Sequence, residues 1–321
     1  MSTGSDPGAR PRILVVGYSA FDVTVPVAAV PPADAKREVP AIRLGGGGPG
    51  ATAAVCLARL GAAVQLVTVL GDDHPSAMQR EELRGAGVDL AGTRIAAGHR
   101  SALAVIHVDR ERQTRTVFWS RGDLPRLRPD EVDPAWVDRC DLLYHDGHEP
   151  AAMLTLAGRA RERGLPVVMD AGAVREGSAE VVAASTDVIS SRGFAPALTG
   201  REDPAAALRA LRRRGPSRVA MTFGEAGVLA LGEHDDRVDH LAAYAVDVVD
   251  TTGAGDAFHA GYALGRARGD AWHQALELGA AVAALKCRDW GGRAALPTLA
   301  AAEALRAGGR RRDERPPGWT G

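Results

Sequence analysis

Three cysteines in 321 residues, Cys56, Cys140 and Cys287, are too few and too scattered for a disulfide framework or a metal-binding spacing. They read as reduced thiols of a cytoplasmic protein. Charge of one sign is also missing. A formal net charge of −1 gives no electrostatic case for nucleic acid or an anionic membrane as partner. No apolar run approaches the roughly 20 residues that span a bilayer, and the N-terminus lacks the apolar core of a signal peptide. Both ends lack core-forming pattern, so residues 1–11 and 306–321, the latter with Arg310-Arg311-Arg312 and two prolines, are expected as flexible tails. Between them, a chain that is 45% hydrophobic has enough apolar material for a large core.

That middle part, 12–305, has a repeating plan. Short apolar runs at Arg12–Gly17, Ala63–Leu70, Asp141–His145, Pro166–Asp170, Asp187–Ser190 and Arg218–Phe223 read as inner strands. Helical patterns at Gly50–Leu60, Ser76–Gly85, Ala151–Arg163 and Pro204–Arg214 separate most of them. Strand–helix alternation predicts a three-layer α/β/α domain with a mostly parallel central sheet. Two regions, about 22–44 and 98–120, break the rhythm. They alternate apolar and polar residues with no helix between, as a small antiparallel sheet would, the second turning near Asp109-Arg110-Glu111. The C-terminal part is mainly helical, and Ala271–Lys286 carries so much Ala and Gly that close helix packing is expected.

The chemistry concentrates in Asp250-Thr251-Thr252-Gly253-Ala254-Gly255-Asp256-Ala257-Phe258. Ala243–Val249 upstream reads as a strand. From Ala254 the pattern turns helical and runs to a stop at Gly269. Gly253 and Gly255 therefore fall where a loop becomes a helix. Unpaired N–H groups and partial positive charge suit an anion there, and glycine allows close approach. Asp256 in the first turn is placed to take the proton of an attacking hydroxyl while those amides stabilise charge on a phosphoryl group.

The string D-T-T-G-A-G-D-A-F-x-A-G closely resembles the C-terminal signature of the ribokinase-like (PfkB) carbohydrate kinases. A second segment, Gly45–Gly61, agrees: in that family a Gly-Gly turn, here around Gly47 and Gly48, opens a small-residue helix ending Arg59-Leu60-Gly61 and helps bind sugar. Gly45, Gly47 and Gly50 also satisfy the G-x-G-x-x-G dinucleotide fingerprint. That reading is disfavoured because Lys36–Leu44 upstream is not a buried strand.

The resemblance implies a ribokinase-like fold, the antiparallel sheet being a lid over the sugar and a face through which two copies could pair. It implies ATP and Mg²⁺ as phosphoryl donor and metal. Gly253, Ala254 and Gly255 would be the anion-holding turn and Asp256 the base. Asp22, Gly47, Gly48 and Thr52 would hold the sugar, with Thr52 standing where relatives carry Asn. Thr222, Gly224, Gly227 and Thr252 would line the nucleotide. Asp250 becomes a candidate ligand for a monovalent cation such as K⁺. Ser191 and Phe194 replace the polar anchors of a metal-organising N-x-x-E motif, so metal handling is expected to differ. His145-Asp146-Gly147-His148 lacks the further ligands a zinc site needs and reads as a structural or pocket-lining loop. His259, Arg115 and Trp119 could face the site. The implied reaction is ATP-dependent phosphorylation of a sugar hydroxymethyl group. Asp146–His148, Arg192–Gly200 and Ala284–Cys287 resemble the ketohexokinase and sulfofructose kinase side, which favours a ketose. A nucleoside kinase and a non-catalytic sugar- or nucleotide-binding relative are the alternatives.

Overall fold

On the first strand, β1 (Arg12–Val16), Ile13 and Val15 enter one apolar cluster while Leu14 and Val16 enter another. A strand buried on both faces in this way belongs inside a sheet covered on both sides. The computed structural model describes residues 10–29, 31–109, 114–234 and 236–319. The chain continues through β2 (Ala20–Val27), β3 (Arg43–Gly47), α1 (Pro49–Arg59), β4 (Ala63–Val67), β5 (Val69–Gly71), α2 (His74–Gly85) and β6 (Arg94–Ala96). The hairpin strands β7 (Leu103–Asp109) and β8 (Thr114–Ser120) follow. Then come β9 (Leu142–His145), α3 (Pro150–Glu162), β10 (Val167–Ala171), α4 (Ser178–Ala184), β11 (Asp187–Ser191), α5 (Phe194–Thr199) and α6 (Pro204–Arg212). The last part holds β12 (Arg218–Thr222), β13 (Val228–Leu231), β14 (Val238–Leu241), α7 (Ala254–Ala267), α8 (Trp272–Lys286) and α9 (Leu299–Gly308).

The central sheet has the order β14-β13-β12-β11-β10-β9-β1-β4, parallel from β12 to β4, with β13 and β14 added antiparallel. Helices α1, α7 and α8 cover one face, and α3 to α6 cover the other. A separate sheet, β3-β2-β7-β8, stands where the lid is expected; β2 with β3 and β7 with β8 run antiparallel, while the two hairpin-like halves meet through a parallel β2–β7 pair. Its hairpin turn, and nearly all of the expected N-terminal tail, lie outside the described residues. Among the described residues no helix is long and apolar enough to cross a membrane.

Two expectations are corrected. Ala243–Val249 is not a regular strand; only Tyr244 forms an isolated bridge, to Arg311. Its backbone groups are taken by other partners: the amide of Ala245 donates to Arg310 O (2.9 Å), and the amides of Val249 and Asp250 donate to Cys287 O (2.8 and 3.2 Å). For the same reason the expected C-terminal tail is seated on the domain. The amide of Arg312 donates to Ala243 O (2.8 Å), and the Arg311 guanidinium lies 3.6 Å from the Tyr244 ring centroid.

The helices α7 and α8 approach closely because glycines face each other. A Cβ on Gly261 would lie 2.9 Å from Gly279 Cα and 3.0 Å from Leu278 O. Gly261→Val should therefore overpack this seam, destabilising the fold by about 3 kcal/mol, read as a fall in Tm and in the urea midpoint.

Candidate active site

Gly253 precedes α7 at φ 75°, a conformation that only glycine adopts without strain, and a Cβ there would sit 2.6 Å from Gly292 O. The first helical bond runs from Ala257 N to Gly253 O, which leaves the amides of Gly255 and Asp256 ahead of it. The turn is fastened from behind by Asp250. Its Oδ1 accepts from Thr252 N (2.8 Å) and Thr252 Oγ1 (2.7 Å), and its Oδ2 accepts from Gly291 N (2.8 Å). Its carbonyl accepts from the buried Lys286 Nζ (3.0 Å).

Asp256 is half-buried in the first turn of α7. Desolvation, then the negative charge of Asp170, push its pKa up, while His259 and Arg115 oppose the rise. Asp170, buried at the end of β10, is itself pushed up to about 7 by desolvation and by Asp146. His259 lies between these acids, its Nδ1 2.6 Å from Gly255 O and 3.4 Å from Asp170 Oδ2, its Nε2 3.2 Å from Ile189 O. It belongs to the site's foundation rather than to its surface.

The acceptor side is assembled at the carboxyl ends of β1, β9 and β10, where open parallel sheets bind ligands. Asp146, just past β9, is buried and accepts three backbone amides: Tyr18 (2.7 Å), Gly50 (2.9 Å) and His148 (3.0 Å). Gly17 and Gly50 are glycines because a Cβ on either would come within 2.6–2.9 Å of that carboxylate. Asp22 lies beside Gly47, whose hypothetical Cβ would be 2.1 Å from Asp22 Oδ2. Desolvation raises Asp22 to about 6; Arg293 pulls it down, and Asp256 and Glu82 push it up. The charge of Asp256 is thus felt at Asp22.

Arg293 was invisible from sequence. Its guanidinium donates to Thr52 Oγ1 (3.2 Å), Gly47 O (2.7 Å) and Glu82 Oε1 (3.1 Å), and the side chain is 7% exposed. It spans the hydroxyl of Thr52 and the glycine turn. No local signal marks it, because its partners are more than 200 residues away in the chain.

Tyr18 stacks on His148 (ring centroids 4.6 Å) and meets the edge of Trp119 from the lid (5.9 Å). The Arg121 Cζ lies 5.7 Å from the Tyr18 ring centroid, and Arg121 is paired with Glu149. Arg126 donates to His148 O, and Arg175, just past β10, donates to Ala173 O (2.8 Å). Among the described residues neither Arg126 nor Arg175 has a carboxylate within ion-pair distance. Each adds positive charge around His148, and Arg126 depresses the pKa of Arg175.

On the other side of Asp256 a cavity of about 710 Å³ is lined by the β12–β13 turn, the segment before α7, and α8. Thr222, Gly224 and Gly227 border it, as do Ala254 and Gly255. Thr252 does not: its hydroxyl is committed to Asp250, and Thr251 lines the cavity instead. Arg115 from β8 donates to Thr251 Oγ1 (3.0 Å), so the lid reaches the anion turn.

Among the described residues no group of three His, Cys, Asp or Glu side chains could hold a metal ion. Ser191 Oγ donates to Gly172 O (2.8 Å) and accepts from Phe194 N (3.2 Å), so it caps α5. A divalent cation arriving with a nucleotide would keep most of its waters and take its ligands mainly from the phosphates. His145 and His148 have other partners: the Nε2 of His145 lies 2.9 Å from Ser185 Oγ, and the ring of His148 stacks on Tyr18.

A glycine turn with free amides, a carboxylate in the helical turn after it and a neighbouring cavity of nucleotide size suit a phosphotransferase with an alcohol acceptor. The family model for pfkB family carbohydrate kinases matches residues 10–299, and the chain belongs to that family. It is 32% identical over 304 residues to an ATP-dependent ribose-1-phosphate kinase of Halopiger xanaduensis, covering 92% of this chain and 97% of that one. It is 26% identical to a ribokinase of Haemophilus influenzae, over 78% and 84% of the two chains. The structure of Arabidopsis thaliana ribokinase complexed with ribose and ATP superposes with a TM-score of 0.81 at 23% identity, covering 93% and 99%.

The Asp146 staple sets the geometry of the acceptor side. Asp146→Ala would leave three buried amides without a partner. A loss of about 3 kcal/mol or more is expected by urea unfolding, together with a raised KM for the acceptor.

Proposed function

We propose that the protein transfers the γ-phosphoryl group of ATP to a hydroxymethyl group of a sugar, and that the acceptor carries an anionic substituent. One arrangement supports the transfer: Asp256 stands in the first turn of α7, where Ala254 and Gly255 border the cavity, and its charge is felt at Asp22, which packs against Gly47. The acceptor oxygen attacks the γ-phosphorus, and its proton passes to Asp256. The bond from that phosphorus to the β-phosphate's bridging oxygen breaks, and ADP leaves. The amides of Gly255 and Asp256 stabilise the charge on the transferring group. A divalent cation, brought with ATP, neutralises phosphate charge. Thr222, Gly224 and Gly227 border the nucleotide; Asp22, Gly47 and Gly48 face the sugar, with Thr52 acting through Arg293.

The ketose preference expected from sequence has little support. Asp146 is spent on backbone amides, 194–199 forms α5, and Ala284 and Cys287 line the nucleotide cavity. Arg126 and Arg175, two guanidinium groups without carboxylate partners beside Tyr18 and His148, favour a phosphate instead. The Halopiger relative, named for ribose 1-phosphate, supports the same reading. A cytoplasmic setting accords with three free, buried cysteines.

ADP release should be measured with ribose 1-phosphate, ribose, fructose and adenosine. The phosphorylated pentose should be preferred in kcat/KM by at least about tenfold, and Arg175→Met should erase that preference. Asp256→Asn should lower kcat by about 10²–10⁴ with the KM for ATP little changed. The base works only when ionised, and its pKa is raised. Wild-type kcat should therefore fall as pH drops through a value well above the usual carboxylate range of about 4, and the variant should lack that limb. Full activity in Asp256→Asn would remove the assignment.

We also propose pairing of two copies through the lid. Leu44, Val23, Val105 and Phe118 stand in one row across its four strands, and Leu44 and Phe118 are more than half exposed. Phe118→Asp should convert a dimer to a monomer in light scattering; a monomeric wild type at micromolar concentration would refute the pairing.

A further inference from the structure

Lys286 is the last residue of α8 and is fully buried. Lysine is costly to bury, and burial pulls its pKa down while Asp250 pulls it up. The Nζ donates to Asp250 O (3.0 Å) and lies 3.5 Å from Asp289 O. It therefore sits behind the anion turn, against the very residue marked as a candidate ligand for a monovalent cation. That residue has little left to offer such an ion. One carboxylate oxygen of Asp250 takes both Thr252 donors, the other takes Gly291 N, and the carbonyl takes Lys286. The next carbonyl cluster, at Cys287 O, already accepts from Val249 and Asp250. Residues and free cation do not fit together here.

We propose that the Lys286 ammonium takes the place of a bound monovalent cation behind the anion turn, so that phosphoryl transfer does not depend on K⁺. The ammonium carries one positive charge, as K⁺ does, and binds carbonyl oxygens directly. Tethered to α8, it needs no ion from solution. It touches neither substrate, so it is a positioning residue: it holds the Asp250 carbonyl, hence the bend from Asp250 to Gly253, in the shape that presents the Gly255 and Asp256 amides. The inference rests on the kinase reading but is tested separately from it.

The experiment uses the full chain in KCl, NaCl or tetramethylammonium chloride at equal ionic strength, with ADP release and Tm measured in each. Wild type should vary less than twofold in kcat, and its Tm should not respond to K⁺ over Na⁺. Lys286→Met should lose at least about tenfold in kcat, and KCl or NH₄Cl should restore part of that loss and raise its Tm, while tetramethylammonium should not. Activation of wild type by K⁺ of more than about threefold over Na⁺ overturns the proposal. A folded Lys286→Met that no cation rescues overturns it too, since the lysine would then be a packing element. Should Lys286→Met fail to fold, the wild-type salt series alone decides between the two outcomes. If ADP is released with no acceptor in any salt, the kinase reading fails; the Tm series still reports whether wild type binds K⁺.

Discussion

The acceptor half of the site depends on one buried carboxylate. Asp146 joins the loop after β1, the start of α1 and the loop after β9 through three backbone amides. Each amide would otherwise be buried without a partner. Their convergence lets Gly17 and Gly50 pack at a distance no other residue permits. The same charge acts beyond its hydrogen bonds. It raises Asp170 and Asp256, and it holds up the pKa of Arg175. A residue that staples three segments together thereby also shifts the carboxylate proposed as base.

Charge is distributed with a sense of place. Acids gather around Asp256: Asp146 makes Asp170 easier to protonate, and both do the same to Asp256. Basic side chains come from the periphery: Arg115 from the lid, Arg293 from the segment after α8, and Arg126 and Arg175 from loops beyond the sheet. A negatively charged donor entering this arrangement meets amides and guanidinium groups first. Asp256, the proposed base, is kept from full solvation, and its raised pKa would make it a better proton acceptor near neutral pH than a surface aspartate.

The layered fold, the lid and the anion turn were legible because each has a local signature. Strands showed as apolar runs, α7 showed as helical spacing after a glycine pair, and the lid showed as alternation without helices. Asp22, Gly47 and Asp256 could be named because a motif fixes their places. Arg293, Arg175 and Lys286 could not, since each acts across the fold on partners far away in sequence. Thr52 accepts from Arg293 across 241 residues of chain, a pairing that nothing in the sequence announces. Ala243–Val249 misled for a related reason. Its β-like composition is real, but its backbone is claimed by the C-terminal segment and the end of α8 rather than by a sheet. Thr252 misled by one position, because the Asp250 carboxylate captures its hydroxyl.

The glycine contact between α7 and α8 has a consequence for motion. With Gly279 so near Gly261, and a Cβ on Gly279 only 2.7 Å from Phe258 O, α7 has no slack in which to slide or roll. Asp256 is in effect bolted to the scaffold. Any adjustment on ligand binding would then fall to the four-stranded flap rather than to α7.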